Sequence, residues 1–163
     1  MCAKVLAIAN QKGGVGKTTT SISLSSALAR MGKKVLVLDL DPHACATLHA
    51  RIYPEGITCS LHDLFLAQED AWPVIWPDLI HVQALPGMDV APGSIRLSEL
   101  EVDFRERQAK GSVLLRSLTH VRDEYDYIIL DCPPHVGILL VNALVAADLL
   151  IIPIQTDFLA LHG

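Results

Sequence analysis

Lys4 to Thr20 reads "KVLAIANQKGGVGKTTT": an apolar run, then three glycines and two lysines within Lys12–Lys17, then threonines. The apolar run suits a strand buried on both faces. The glycines suit a turn whose backbone N–H groups point inward around an anion, and a helix that follows adds its positive end. Beyond Gly16, Leu24, Ala27, Leu28 and Met31 recur at helical spacing, and Gly32 is placed to end the helix. Strand, glycine turn, Gly-Lys-Thr and helix in this order form a phosphate loop. Lys17 is expected to reach the outer phosphates and the Thr18 hydroxyl to hold Mg²⁺, with Val15 and Thr19 completing the loop. Gly13, Gly14 and Gly16 allow backbone angles and a close approach that side chains forbid.

The 163 residues amount to about one domain, and the whole chain is taken as one. With 51% apolar and 19% charged residues, the composition provides for a core and argues against disorder. A net charge of −5 argues against this chain alone coating DNA or an anionic membrane. The mixed run "EVDFRERQAK" (101–110) reads as a solvated face rather than a nucleic-acid patch. Cys2, Cys45, Cys59 and Cys132 form no C-x-x-C pair, and with no secretory signal they read as reduced thiols of a cytoplasmic protein. The long apolar stretch 137–154 is interrupted by Asn142, Asp148 and Pro153, so it reads as a helix followed by a buried strand rather than a membrane span.

Four more apolar runs look like strands buried on both faces: 34–40, 79–85, 125–131 and 148–154. Helical segments lie between them. Ser60 and Asp63 stand at capping-box spacing; Leu114, Leu115, Leu118 and Val121 share one helical face; residues 136–147 are apolar nearly all round. Alternating strands and helices predict an α/β fold, a doubly wound, mainly parallel sheet flanked by helices. Residues 50–78 are the least regular, with Trp72 and Trp76 expected as packing anchors. The sequence stops at "TDFLALHG", after a strand and at the start of a helical pattern, which would leave a sheet edge exposed. The expectation is an N-terminal part of a longer protein or a shortened relative of one.

The common phosphate-loop pattern places glycine at position 11, where this chain has Gln11 followed by Lys12. "KGGVGKTT" resembles instead the K-G-G-x-G-K-[ST] loop of the ParA/MinD branch of P-loop ATPases. "VLVLDLDPHACAT" is similar to that family's second motif, and "YDYIILDCPPHVGILLVNALVAADLLIIPIQTDFLALHG" to its third and the elements beyond. The D-C-P-P, N-A-L and P-x-Q-T placements point to ParA/Soj-type partition ATPases more than to MinD.

The resemblance implies an ATP/ADP- and Mg²⁺-dependent switch. Lys12 would cross a dimer interface to the partner's phosphates, so that two nucleotides lie between two copies of the chain. Asp41 would orient the attacking water, Asp131 would hold Mg²⁺ at the Walker B position, and Asp39 would support the metal's shell; Asp39 and Asp41 end one strand, and alternation is expected to point them apart. The family's slow turnover is stimulated by a ParB-like partner, and its ATP dimer binds DNA without sequence preference through a later region; this implies cytoplasmic, nucleoid-associated work with no membrane. A MinD-like membrane ATPase and a shortened module that binds ATP without turning it over are the alternatives. His43, Ala44 and Cys45 replace the family's Gln-Gly-Asn, and His135 stands where serine is frequent; both histidines are expected in exposed loops, with contact to phosphate or a pH-sensitive site as the alternative. His43, Cys45 and His49 lie on different faces of a short turn-helix and do not form a metal site. Cys132 is expected to be a small buried residue, because the iron–sulfur relatives need a later cysteine that "GILLVNALV" lacks.

Overall fold

A computed structural model of the chain describes residues 2–102 and 111–156. Its strands are β1 (Lys4–Ile8), β2 (Val35–Asp39), β3 (His81–Leu85), β4 (Met88–Ala91), β5 (Tyr127–Asp131) and β6 (Leu149–Ile151). Between them run α1 (Lys17–Arg30), α2 (Cys45–His49), α3 (Leu61–Leu66), α4 (Trp72–Leu79), α5 (Leu97–Val102), α6 (Val113–Ser117) and α7 (Ile138–Ala146). The sheet order is β3-β4-β2-β5-β1-β6, parallel throughout except for the antiparallel β3–β4 pair.

Strand alternation divides the core into two layers. Val5 and Ala7, Leu36 and Leu38, and Ile128 and Leu130 face α3–α7, packing with Leu61, Leu64, Leu114 and Leu139. Leu6 and Ile8, Val35 and Val37, and Ile129 face the other way, against Leu24 and Leu28 of α1 and Ala50 after α2. The sheet is therefore doubly wound, as expected. Both tryptophans are buried anchors: Trp76 Nε1 donates to Ser117 O at 2.9 Å and Trp72 Nε1 to Leu64 O at 3.3 Å. Gly32 ends α1 at φ 78°, with its N–H bonded to Ala29 O and that of Lys33 to Leu28 O, a Schellman pairing.

Several expectations need correcting. Residues 79–85 do not supply a buried parallel strand; β3 is an exposed outer strand that turns at Pro86-Gly87 into β4, and β4 takes the parallel place beside β2. The four-residue run Met88–Ala91, broken by Asp89, was too short to register as apolar. Likewise 148–154 yields only a three-residue edge strand with Leu149 and Leu150 half exposed, because β6 has a neighbour on one side alone. Ala27 of α1 and its C-cap Met31, Leu115, and Leu144 and Val145 on α7 face outward among the described residues. The helical face of α1 nearest the site is instead polar: Lys17, Ser21 and Ser25, each four residues from the last, are its buried residues. Most of the 101–110 run and the helical start expected after Thr156 lie outside the described residues.

Candidate phosphate-binding site

All the motif residues gather at the carboxyl edge of the sheet, where α/β folds place ligands. β5 sits between β1 and β2, and Ile8, Asp131 and Asp39 are register partners across the three strands. Residues 129, 131, 37 and 39 share parity, so both carboxylates stand on the α1 side of the sheet.

The loop after β1 is braced at several points. Asn10 Oδ1 accepts the Lys12 N–H at 2.8 Å, and Asn10 Nδ2 donates to Pro153 O at 2.9 Å. Gln155 Nε2 donates to Gly14 O at 3.0 Å. Gly14 and Gly16 have φ of 75° and 90°, left-handed backbone in which a side chain is strained. Gly16 is also the N-cap of α1 and supplies no side-chain cap, so the first N–H groups of that helix face the loop. Val15 is buried and Thr19 exposed. The Lys17 ammonium, itself buried, donates to Lys12 O at 3.2 Å across the loop. Lys12 is half-buried, and Gly13 is exposed beside it.

At the foot of the loop, the Thr18 hydroxyl donates to Asp131 Oδ2 at 2.7 Å and the Ser21 hydroxyl to Asp131 Oδ1 at 2.8 Å. With its proton directed at Asp131, the Thr18 oxygen keeps lone pairs for a cation. Hydroxyl and carboxylate are the hard oxygen donors that Mg²⁺ takes, so the set fits that ion. Burial raises the Asp131 carboxyl above its ordinary range, opposed by the Thr18 and Ser21 hydroxyls.

Asp39 is tied elsewhere. Its Oδ2 accepts both the N–H and the hydroxyl of Thr47, each at 2.7 Å, and its Oδ1 accepts the Asp41 N–H at 3.2 Å. Thr47 Oγ1 in turn accepts the Gly93 N–H at 2.9 Å. A Cβ on Gly93 would stand 2.5 Å from Asp39 O, so only glycine fits there. The expectation that Asp39 and Asp41 point apart by strand alternation fails, since residues two apart share a face and β2 stops at Asp39; a turn joins them instead. Asp41 lies in that turn, its Oδ1 accepting the His43 N–H at 2.9 Å and lying 2.8 Å from His43 Nδ1. The His43 ring is otherwise exposed. Ala44, where the resembling family has glycine, keeps the left-handed φ of 52°, at a cost of about 1–2 kcal/mol.

Burial pushes the Asp39 carboxyl up from 3.8 to about 7, opposed by Thr47 and reinforced by Asp131. A carboxyl raised on folding stabilises the fold fully below its unfolded value, and that stability is lost as pH rises through the folded value. The metal-free chain is therefore expected to be more stable toward urea at pH 5 than at pH 8, by on the order of 2–3 kcal/mol from Asp39. Asp63 and Asp148, both held low, titrate below this window. Asp131, also raised by burial, adds in the same direction; Asp39→Asn should therefore shrink the difference between the two unfolding midpoints without abolishing it, and an unchanged difference would contradict the assignment.

A family model described as "AAA domain" matches residues 3–163. The chain belongs to the AAA-domain family. Among relatives, the Bacillus subtilis (strain 168) sporulation initiation inhibitor protein Soj is 41% identical over 160 residues, covering 98% of this chain and 61% of Soj. Chromosome partitioning protein ParA of Caulobacter vibrioides (strain NA1000 / CB15N) is 40% identical over 162 residues, covering 98% of this chain and 59% of ParA. A crystal structure of cobyrinic acid a,c-diamide synthase from Mycobacterium smegmatis with bound ATP analog and magnesium superposes with a TM-score of 0.86 at 38% identity, over 97% of this chain and 62% of that one. This AAA-domain chain thus spans about three fifths of the length of these relatives. The resemblance to ParA/Soj proteins read from the motifs is confirmed, as is the P-loop fold.

In this AAA-domain site the motif reading missed Ser21, Thr47, Gly93, Asn10 and Gln155. Ser21 had a signal, the Lys17-Ser21-Ser25 spacing on one helical face; Thr47 closed a quoted motif without being given a role. His135 is half exposed, its Nε2 lying 3.6 Å from Glu101 Oε1. Cys132 is buried as expected, its thiol pushed up to about 12 by burial.

Proposed function

We propose that this chain is the nucleotide-binding part of a Mg²⁺-dependent ATPase switch that dimerises on ATP and acts in chromosome or plasmid partition or in positioning a cargo. The observation that carries the proposal is the Thr18–Asp131–Ser21 cluster beneath a glycine loop spanned by the buried Lys17 ammonium. The ATP analog and magnesium named for the M. smegmatis structure, and the partitioning named for ParA, support ATP/ADP with Mg²⁺ and that role.

Gly13–Thr19 would cradle the phosphates with backbone N–H groups and the start of α1. Lys17 would offset charge on the outer phosphates. Thr18 and Asp131 would hold Mg²⁺, which when bound would supply charge neutralisation at the phosphates. Asp41 would orient a water for in-line attack on the γ-phosphate: both His43 contacts fall on Oδ1, which leaves Oδ2 to accept from that water. Asp39 would act through its neighbours, fixing the Asp41 turn and α2. Non-specific DNA and a ParB-like stimulating protein are proposed as partners of the whole protein, in the cytoplasm. No helix among the described residues is long and apolar enough to cross a membrane.

Lys12 tests the dimer. By the resemblance of Lys12-Gly-Gly-Val-Gly-Lys17 to the ParA/MinD loop, the Lys12 ammonium is assigned to the partner's phosphates. Lys12→Ala is expected to retain nucleotide binding by the single chain and to lose the ATP-dependent dimer in sedimentation velocity. An intact ATP dimer in that variant would refute the cross-subunit role.

A further inference from the structure

The charged run beginning at Glu101 reads from sequence as a solvated face, yet the Glu101 side chain is only 13% exposed. Leu97 and Leu100 of α5 are packed into the helix-side core, and Glu101 beside them turns toward α7. Its Oε2 accepts the Ile138 N–H at 2.9 Å and its Oε1 the Leu139 N–H at 3.2 Å. These are the first two N–H groups of α7, whose own N-cap, Gly137, has no side chain to offer. A carboxylate there makes charge-assisted bonds and complements the positive helix end. The fit is mutual: a Cβ on Gly137 would stand 1.6 Å from Glu101 Oε2.

What this strap holds is the loop Cys132–Gly137, which leaves β5 directly after Asp131. Asp131 is fixed to α1 through Thr18 and Ser21, and Pro133 and Pro134 stiffen the loop's middle. Glu101 fixes the far end of this loop, and its Oε1 also lies 3.6 Å from Nε2 of His135 within it. Among the described residues, the Glu101 carboxylate bonds to Ile138 and Leu139 and lies near His135, with no hydrogen bond or ion pair to the phosphate loop. Resting on the ATPase reading above, we propose that Glu101 is a positioning residue for hydrolysis: it sets the loop after Asp131 through the first turn of α7 and takes no part in holding the nucleotide.

The division of labour is testable as a split between kcat and binding. Glu101→Ala and Glu101→Gln would be compared with wild type and with Glu99→Gln, a control on the exposed side of the same helix. Calorimetry would give Kd for Mg-ATP, phosphate release would give kcat and KM, and thermal melting would report folding. The expected result is Kd and KM within about twofold of wild type, with kcat down about tenfold in Glu101→Ala and less in Glu101→Gln, which keeps one acceptor. Glu99→Gln should match wild type. Should Glu101→Ala not fold, Glu101→Gln carries the same comparison. Wild-type kcat in a folded variant, or a kcat loss matched by an equal loss in Kd, would overturn the proposal. If wild type itself shows no turnover, the ATPase reading fails separately. The strap is then judged by amide exchange at Ile138 and Leu139, where protection lost in the folded variant supports it and unchanged protection overturns it.

Discussion

Asp41→Ala is expected to bind Mg-ATP as wild type does and to turn it over about 10²- to 10⁴-fold more slowly. The reasoning starts from where the carboxylate stands. Asp41 lies outside the phosphate loop; its N–H goes to Asp39, its carbonyl to the Ala44 N–H and its Oδ1 to His43. Ground-state binding by Gly13–Thr18 and Asp131 therefore survives the change. What would be lost is the acceptor proposed to orient water, an interaction made at the reacting atoms, so the effect is expected to fall on kcat. Phosphate-release kinetics checks this, with calorimetry to show that binding persists. Turnover at the wild-type rate would remove Asp41 from the mechanism. Because Ala44 holds a strained turn three residues on, circular dichroism of the variant should be taken alongside, and no change is expected.

Lys17→Ala is expected to weaken Mg-ATP binding by on the order of 100-fold or more. The Lys17 ammonium is buried and donates to Lys12 O, so it spans the loop and, in the proposed site, would bring a fixed positive charge to the phosphates. Alanine removes the charge and the brace together. The fold should remain, since the loop is also held by Asn10 and by Gln155. Equilibrium titration with Mg-ATP checks the loss, and wild-type affinity in the variant would contradict the assignment of this loop.

The phosphate loop was legible because its chemistry is local: the strand, three glycines, Lys17 and Thr18 are neighbours in sequence, and each glycine at positive φ is an amino acid that the backbone there demands. The buried strands β1, β2 and β5 were legible because parallel strands covered on both faces are apolar without interruption. The outer strands were not. Residues 79–85 are as apolar as a central strand, but a Pro-Gly turn sends the chain back, and the short, Asp-containing β4 takes the inner place. Strand order depends on which edge a crossover reaches, and no local pattern records it.

The carboxylates were legible as strand-end residues, but not what they bind. Ser21 meets Asp131 across 110 residues and Glu101 meets Ile138 across 37, and each partner looks like an ordinary helix residue where it stands. Glu101 shows the limit most clearly: within a run of alternating charges it reads as solvated, and only the packing of α5 against α7 buries it. Thr47 and Gly93 are similar, since the need for glycine at 93 comes from the Asp39 carbonyl, far away in sequence.

The central claim is that these residues form a working Mg-ATP site, and isothermal titration of Mg-ATP into the purified wild-type chain tests it most directly. The account predicts saturable heat at one nucleotide per chain, lost when EDTA removes the Mg²⁺ that Thr18 and Asp131 are assigned to hold. A folded chain that gives no saturable heat with Mg-ATP would contradict it.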